Sequence, residues 1–188
     1  MGRFPSREEA LNMLKSAGCP PEVIRHCEDA ASLALRIAKA CLRSGIEVNL
    51  RLVEVGALLH DIGRSRTHGI GHVFVGAELA REAGLDESIV RIILTHTGGL
   101  RPEVAEQFGW PPGSYEPVSI EEKIVAYADK LVEGGRVLPF GKAVSKLVRE
   151  LGPDHPAVVN LMKIHEELRS YLGDGLAFGG LRKDIRSL

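Results

Sequence analysis

At 188 residues, 44% of them hydrophobic and 26% charged, the chain carries enough apolar material for one domain with a buried core and is too apolar for a disordered polymer. Lys and Arg number 24 against 25 for Asp and Glu, so no global basic field signals nucleic acid or an acidic membrane surface, and an anionic ligand must be met locally. No uninterrupted apolar run approaches the ~20 residues of a bilayer-spanning helix, and Cys19, Cys27 and Cys41, with no CxxC pair and no secretory leader, read as reduced thiols of a cytoplasmic protein.

Helical punctuation runs through the chain. Ser6 with Glu9 makes a capping box for a short helix stopping near Gly18, and Pro20-Pro21 opens a long one running to about Ser44, with Gly45 as terminator. Asn49 caps the next, which reaches the His60-Asp61 pair. The stretch Ile46 to Leu52 alternates apolar and polar as a strand does, but Val53, Ala57 and Leu58 resume helical spacing. A helix over His72 to Ala83 ends at Gly84, and Asp86 caps another that continues to His96, making a tight helical hairpin.

Thr97 to Pro117 is rich in Gly and Pro, with one helical turn around Val104, and reads as a loop over a site or an edge. Ser119 and Glu122 form a second capping box, starting a helix through Asp129 to about Glu133. Two further helices are expected over Lys142 to Leu151 and Pro156 to Leu172, and the tail after Gly173 reads as irregular. The fold class is therefore all-α: a helical bundle forming a single domain over 1–188, with no internal repeat, low-complexity tract or linker.

The ionisable residues fall on stripes that should face the core. His26 lines up with Ala30, Leu33, Ala34, Ile37 and Cys41. His72 is followed by Val75, Gly76, Leu79, Ala80 and Ala83 at spacings of three and four, His96 is preceded by Ile89, Ile92 and Ile93, and Asp129 is flanked by Val125, Ala126 and Val132. A buried carboxylate without a partner costs several kcal/mol and survives mainly when paired or bound to a metal. His26, His60, His72, His96, Asp61 and Asp129 together look like imidazole and carboxylate ligands for a divalent metal. Neighbouring helical residues point about 100° apart, so His60 and Asp61 reach one ion only near a helix end, where Gly63 lets the chain turn away.

These residues resemble the signature of the HD superfamily of metal-dependent phosphohydrolases: a histidine (His26), a His-Asp doublet in LLHDIG (Leu58 to Gly63), and a distal aspartate in IVAYADK (Asp129). The resemblance covers about 20–138 and leaves 140–188 as a helical extension. It implies an HD-domain bundle with His26, His60, Asp61 and Asp129 on the metal, and His60 and Asp61 central to catalysis. HVFVGAELA from His72, ILTHTGG around His96 and EEKIVAYADKLVEGGR from Glu121 look similar to the bacterial HD-type hydrolases of diadenosine tetraphosphate, and the chain is also similar to small archaeal HD-domain proteins. That likeness implies a second ion at His72 and His96, bridged through Asp61. Arg64 and Ser65 after the doublet glycine depart from the pattern and leave the substrate open.

The expected activity is hydrolysis of a nucleotide or other phosphoester or phosphoanhydride, with one or two divalent transition metals among Mn, Fe, Co, Ni and Zn activating water. Developing phosphate charge needs donors, and Arg64, Lys130, Arg136 and the Thr97-Gly98-Gly99 backbone lie beside the ligands in sequence. His68 gates access or replaces His72, with His72 the preferred ligand. His155 and His165 read as surface or structural, and Trp110 as an anchor of its loop. The expected partner is a small phosphorylated molecule, probed first as a nucleotide, while oligomeric state is unreadable. Two other classes predict metal without turnover. One is a regulatory HD module that binds a nucleotide or metal, and the other is a structural zinc site, which would want cysteines at a spacing this chain lacks.

Overall fold

The computed structural model describes residues 2–111 and 115–173. Its helices are α1 (Arg7–Ala17), α2 (Pro21–Arg43), α3 (Leu50–Leu59), α4 (His72–Glu82), α5 (Glu87–Thr95), α6 (Pro102–Gln107), α7 (Ile120–Leu131), α8 (Phe140–Leu151) and α9 (Pro156–Leu172), with a 3-10 turn over Ile62–Ser65. The architecture is all-α. The irregular reading of the tail after Gly173 lies outside the described residues.

Local chemistry sets most helix starts where expected. The Ser6 hydroxyl accepts from Glu9 N while the Glu9 carboxylate accepts from Ser6 N, a complete capping box on α1. Asn49 Oδ1 accepts from Leu52 N and opens α3, so 46–49 is a cap segment rather than a strand. At α7 only half the box forms. Ser119 Oγ accepts from Glu122 N, but the Glu122 carboxylate is 8% exposed and accepts instead from Val118 N and the Thr95 hydroxyl.

The expected run of α7 to Glu133 is too long. It stops at Leu131, and Val132–Glu133 pairs antiparallel with Arg136–Val137 (β1 and β2) across Gly134–Gly135. Both glycines have positive φ, 56° and 75°, as the tight primed turns of two-residue hairpins require. A side chain at either position would be strained, which is why a Gly-Gly pair ends the helix here.

The core is built around α2, which packs on α3 and α7, while the α4–α5 hairpin closes over α3. Ala30, Ala34, Ile37, Ala38 and Cys41 on the inner face of α2 are fully buried, and the small residues let neighbouring helices come close. Cys27 and Cys41 are buried hydrophobes of this face, as their sequence setting suggests. Gly63 shows how tight the packing is: a Cβ there would lie 2.0 Å from His72 O and 2.6 Å from Gly76 N. Its role is to let the 3-10 turn lie against α4. It takes no left-handed conformation, so the turning role expected for it is replaced by close approach.

The described residues between Thr97 and Pro117 contact α4 through Trp110 and α9 through Gly98. Trp110 packs on Phe74 with ring centroids 5.0 Å apart and lies under the Arg81 guanidinium, anchoring its loop as expected. Asn160 of α9 donates to Gly98 O. The two C-terminal histidines are structural: His155 Nδ1 caps α9 at Ala157 N, and His165 stacks on Phe140 at 3.6 Å while its Nδ1 accepts from the Tyr127 hydroxyl.

Candidate metal centre

Five helices bring the six expected residues to one place, mostly by their ends. His26 lies one turn into α2, His60 follows the last residue of α3, His72 is the first residue of α4, His96 follows the last residue of α5, and Asp129 lies in the last turn of α7. Asp61 sits between α3 and the 3-10 turn, where the change of helix type separates its direction from that of His60. His60, Asp61, His72 and His96 are all less than 5% exposed, whereas the His26 side chain keeps 28% and marks the open side.

Three of the four imidazoles are oriented in the same way. His60 Nδ1–H donates to Ala57 O at 2.7 Å, His72 Nδ1–H to Gly69 O at 2.8 Å and His96 Nδ1–H to Ile93 O at 2.7 Å. A carbonyl can only accept, so each ring spends the proton of its neutral form on the backbone three residues earlier and turns a bare Nε2 inward. These inward nitrogens converge on the carboxylates. Asp129 Oδ1 lies 2.8 Å from His26 Nε2 and 3.4 Å from His60 Nε2. Asp61 Oδ1 lies 3.1 Å from His72 Nε2 and 3.5 Å from His96 Nε2, and the last two nitrogens are 3.1 Å apart.

The result is a buried, electron-rich cluster short of protons. His60 Nε2 and Asp61 Oδ1 are sealed from solvent with no hydrogen-bond partner, a costly arrangement that a cation between them would satisfy. Two groups have donor atoms within 4.8 Å of one another: His26, His60 and Asp129, and His60, Asp61 and His96. They share His60, where the family resemblance implied sharing through Asp61. Imidazole nitrogens and single carboxylate oxygens are the donors that divalent transition metals accept, so the residues fit such an ion.

The electrostatics follow from burial. Burial works against ionised carboxylates at Asp61 and Asp129, yet both are held well below the usual range, Asp61 mainly by the neighbouring His60 and Asp129 mainly by Lys130. Burial also opposes charge on His60, but the two carboxylates overcome it and raise its proton affinity. His96 goes the other way, pushed down to about 4 by burial, with Asp61 opposing.

Each aspartate gives one oxygen to the histidines and the other to a cation. Arg64 Nε donates to Asp61 Oδ2 at 2.6 Å and its Nη1 to His68 O, while Lys130 Nζ donates to Asp129 Oδ2. Arg64 and Lys130 therefore steady the two carboxylates, and both also line the cavity at the centre. The other expected phosphate donors lie elsewhere. Arg136 is exposed on β2, and Thr97 has a buried hydroxyl without a hydrogen-bond partner; neither lines the cavity at the centre.

That cavity measures about 500 Å³, within the range of small-molecule sites. It is walled by His26, Asp61, Asp129 and His68, then by Glu133 of β1 and by Lys146 of α8. No described residue of the loop from Thr97 to Pro117 lines it. The α8 wall escaped the sequence reading because nothing local ties residues 143–150 to a motif ending near 138. A signal existed only in their amphipathic spacing, with Ala143 and Leu147 one turn apart and buried.

A helical bundle whose helix ends gather histidines and aspartates into one buried cluster is the architecture of an HD domain. The chain belongs to the HD domain family, whose sequence model matches residues 23–134. It is 42% identical over 166 residues to the protein MJ0778 of Methanocaldococcus jannaschii, covering 88% of this chain and 98% of that one. It is 40% identical over 174 residues to the tRNA (cytidine(56)-2'-O)-methyltransferase of Picrophilus torridus, covering 92% of this chain, and spans about half (49%) of that protein's length. Ribonuclease Y of Acidothermus cellulolyticus is 35% identical over 86 residues, 45% of this chain and 16% of that one. Among solved structures, the HD domain of the Listeria monocytogenes phosphodiesterase PgpH shares the fold, with a TM-score of 0.52 at 18% identity over 87% of this chain and 94% of that one.

Proposed function

We propose that the chain is a metal-dependent phosphohydrolase that cleaves a phosphoester or phosphoanhydride bond of a nucleotide-like substrate. The observation that carries this reading is the sealed pair of unsatisfied ligand atoms, His60 Nε2 and Asp61 Oδ1, facing the bare nitrogens of His72 and His96. The similarity to ribonuclease Y supports chemistry at a phosphorus centre. His26, His60, Asp61 and Asp129 would hold one ion, and His72 and His96 would help to hold a second. A divalent ion in such a site supplies Lewis acidity and lowers the pKa of bound water.

The remaining work falls to the chain itself. Arg64 and Lys130 fix the outer oxygens of Asp61 and Asp129, so that the inner oxygens stay aimed at the histidines. His68 lines the open cavity and is placed to give a proton to a leaving oxygen. Lys146 lines the same space, paired among the described residues with the half-exposed carboxylate of Glu133, and is the cation a bound phosphate can recruit.

The test is elemental analysis of the purified protein beside a phosphate-release assay over nucleotides, for wild type, Asp61→Asn and a His72→Ala, His96→Ala double variant. Wild type is expected to hold stoichiometric metal, the double variant to hold one ion fewer, and Asp61→Asn to lose at least about a thousandfold in rate. Hydrolysis undiminished in Asp61→Asn, or no stoichiometric metal under any loading condition, would sink the reading.

A further inference from the structure

A second pocket of about 380 Å³ adjoins the metal cavity and shares Glu22 and His26 with it; its other walls include Arg25 and Asp29 of α2 and the Gly134–Gly135 turn. Glu22, His26 and Asp29 fall on one face of α2 at spacings of four and three, so the stripe that delivers His26 to the metal centre continues directly into this pocket. Asp29 is 6% exposed, yet among the described residues no hydrogen bond or ion pair reaches its carboxylate. Arg25, four residues earlier on the helix, lines the same pocket without pairing with it. Asp29 lines the pocket with no donor from the described residues, so its acceptors are left to the pocket, and the clustered histidines and aspartates make no use of it.

The shape around it selects a ligand class. An ionised carboxylate offers two in-plane acceptors and is matched by two parallel N–H donors, the geometry that makes bidentate pairing strong. Another wall is a turn of two glycines held at positive φ, 56° and 75°, which brings no side chain to the pocket. A flat ring can lie against such a surface. Asp29 is three residues beyond His26, about 4.5 Å further along the helix axis, close enough for one molecule to span both.

We propose that this pocket is a subsite for a guanine-type ring, whose lactam N–H and neighbouring exocyclic amine donate together to Asp29 while its face lies on the Gly134–Gly135 turn. The proposal rests on the phosphohydrolase reading only for where the phosphate end of the molecule goes.

The experiment is calorimetric titration of the full, metal-loaded chain with guanosine, which carries no phosphate and so binds or fails to bind whether or not the chain hydrolyses anything. Guanosine is expected to bind, 1-methylguanosine to bind at least tenfold more weakly because its ring donor is blocked, and Asp29→Asn to lose at least tenfold in guanosine affinity with its metal content unchanged. The comparison of the two nucleosides on wild type stands even where the variant fails to fold. Absence of guanosine binding, or equal affinity for the two nucleosides, overturns the proposal. So does a loss of affinity with 2′,3′-dideoxyguanosine but not with the methylated ring, since the donors would then be ribose hydroxyls. Nucleotide hydrolysis with guanosine affinity indifferent to Asp29 removes this subsite alone, whereas Asp29-dependent guanosine binding without any hydrolysis removes the phosphohydrolase reading alone.

Discussion

The imidazoles at His60, His72 and His96 are each oriented by the carbonyl three residues earlier, so their aim depends on where a helix end stands. Gly63 sets one of those positions. A methyl group there would strike His72 O and Gly76 N, which are backbone atoms that cannot swing aside. Gly63→Ala is expected to destabilise the fold by about 3 kcal/mol, the upper range for overpacking, and to lower metal content by displacing His72. Urea melts and elemental analysis check both. The six clustered residues were legible in the sequence because a histidine or aspartate on an apolar stripe is conspicuous without knowledge of the fold. The role of Gly63 was not, since its partner atoms lie on α4 and only assembly brings them near. Arg64 and Lys130 were found as neighbours of the cluster, but adjacency in sequence could not say that each also pairs with one of its carboxylates.

Among the elements, the β1–β2 hairpin departs most from expectation. Leu131, Val132 and Val137 keep an apolar spacing that reads as more helix, and the contrary signal was the Gly-Gly pair, a hairpin turn whose flanking strands are only two residues long. Because Gly134 takes φ 56°, Gly134→Val is expected to cost about 1–2 kcal/mol in thermal or chemical melts. Its metal content should be unchanged, since no metal ligand lies on the hairpin. The loop from Thr97 to Pro117 shows the opposite limit. Its composition announced a loop with one helical turn around Val104, where α6 lies, but the contacts of its described residues with α4 and α9 depend on long-range packing by Phe74, Trp110 and Asn160.

For the whole molecule, the histidine–aspartate cluster is a store of unfavourable burial that a cation would relieve, so occupancy and stability should move together. Saturation at a hundred times the dissociation constant adds about 2.7 kcal/mol, and for a chain of this size chelation is expected to lower the Tm by roughly 5–10 °C. In the metal-free chain His96 titrates near 4, below the ordinary histidine value, and both aspartates also titrate low. A depressed folded-state pKa gives stability that is present at higher pH and lost as pH falls, here from about 6.5 towards 4 for His96, with the aspartates following below. His60, shifted upward, works in the opposite sense. Melts in chelator should therefore fall in Tm across that window, and fall less in His96→Gln; a flat profile in wild type would contradict the neutral, buried state of His96. No membrane-crossing helix is present among the described residues.

Trp110 is the sole tryptophan of the sequence and rests on Phe74, two residues along α4 from His72. Its emission therefore comes from one place, and that place moves with the helix that presents His72 to the cluster. The molecule thus carries a built-in optical gauge of how α4 is seated, readable in dilute solution without a label, a chelating dye or turnover of any substrate.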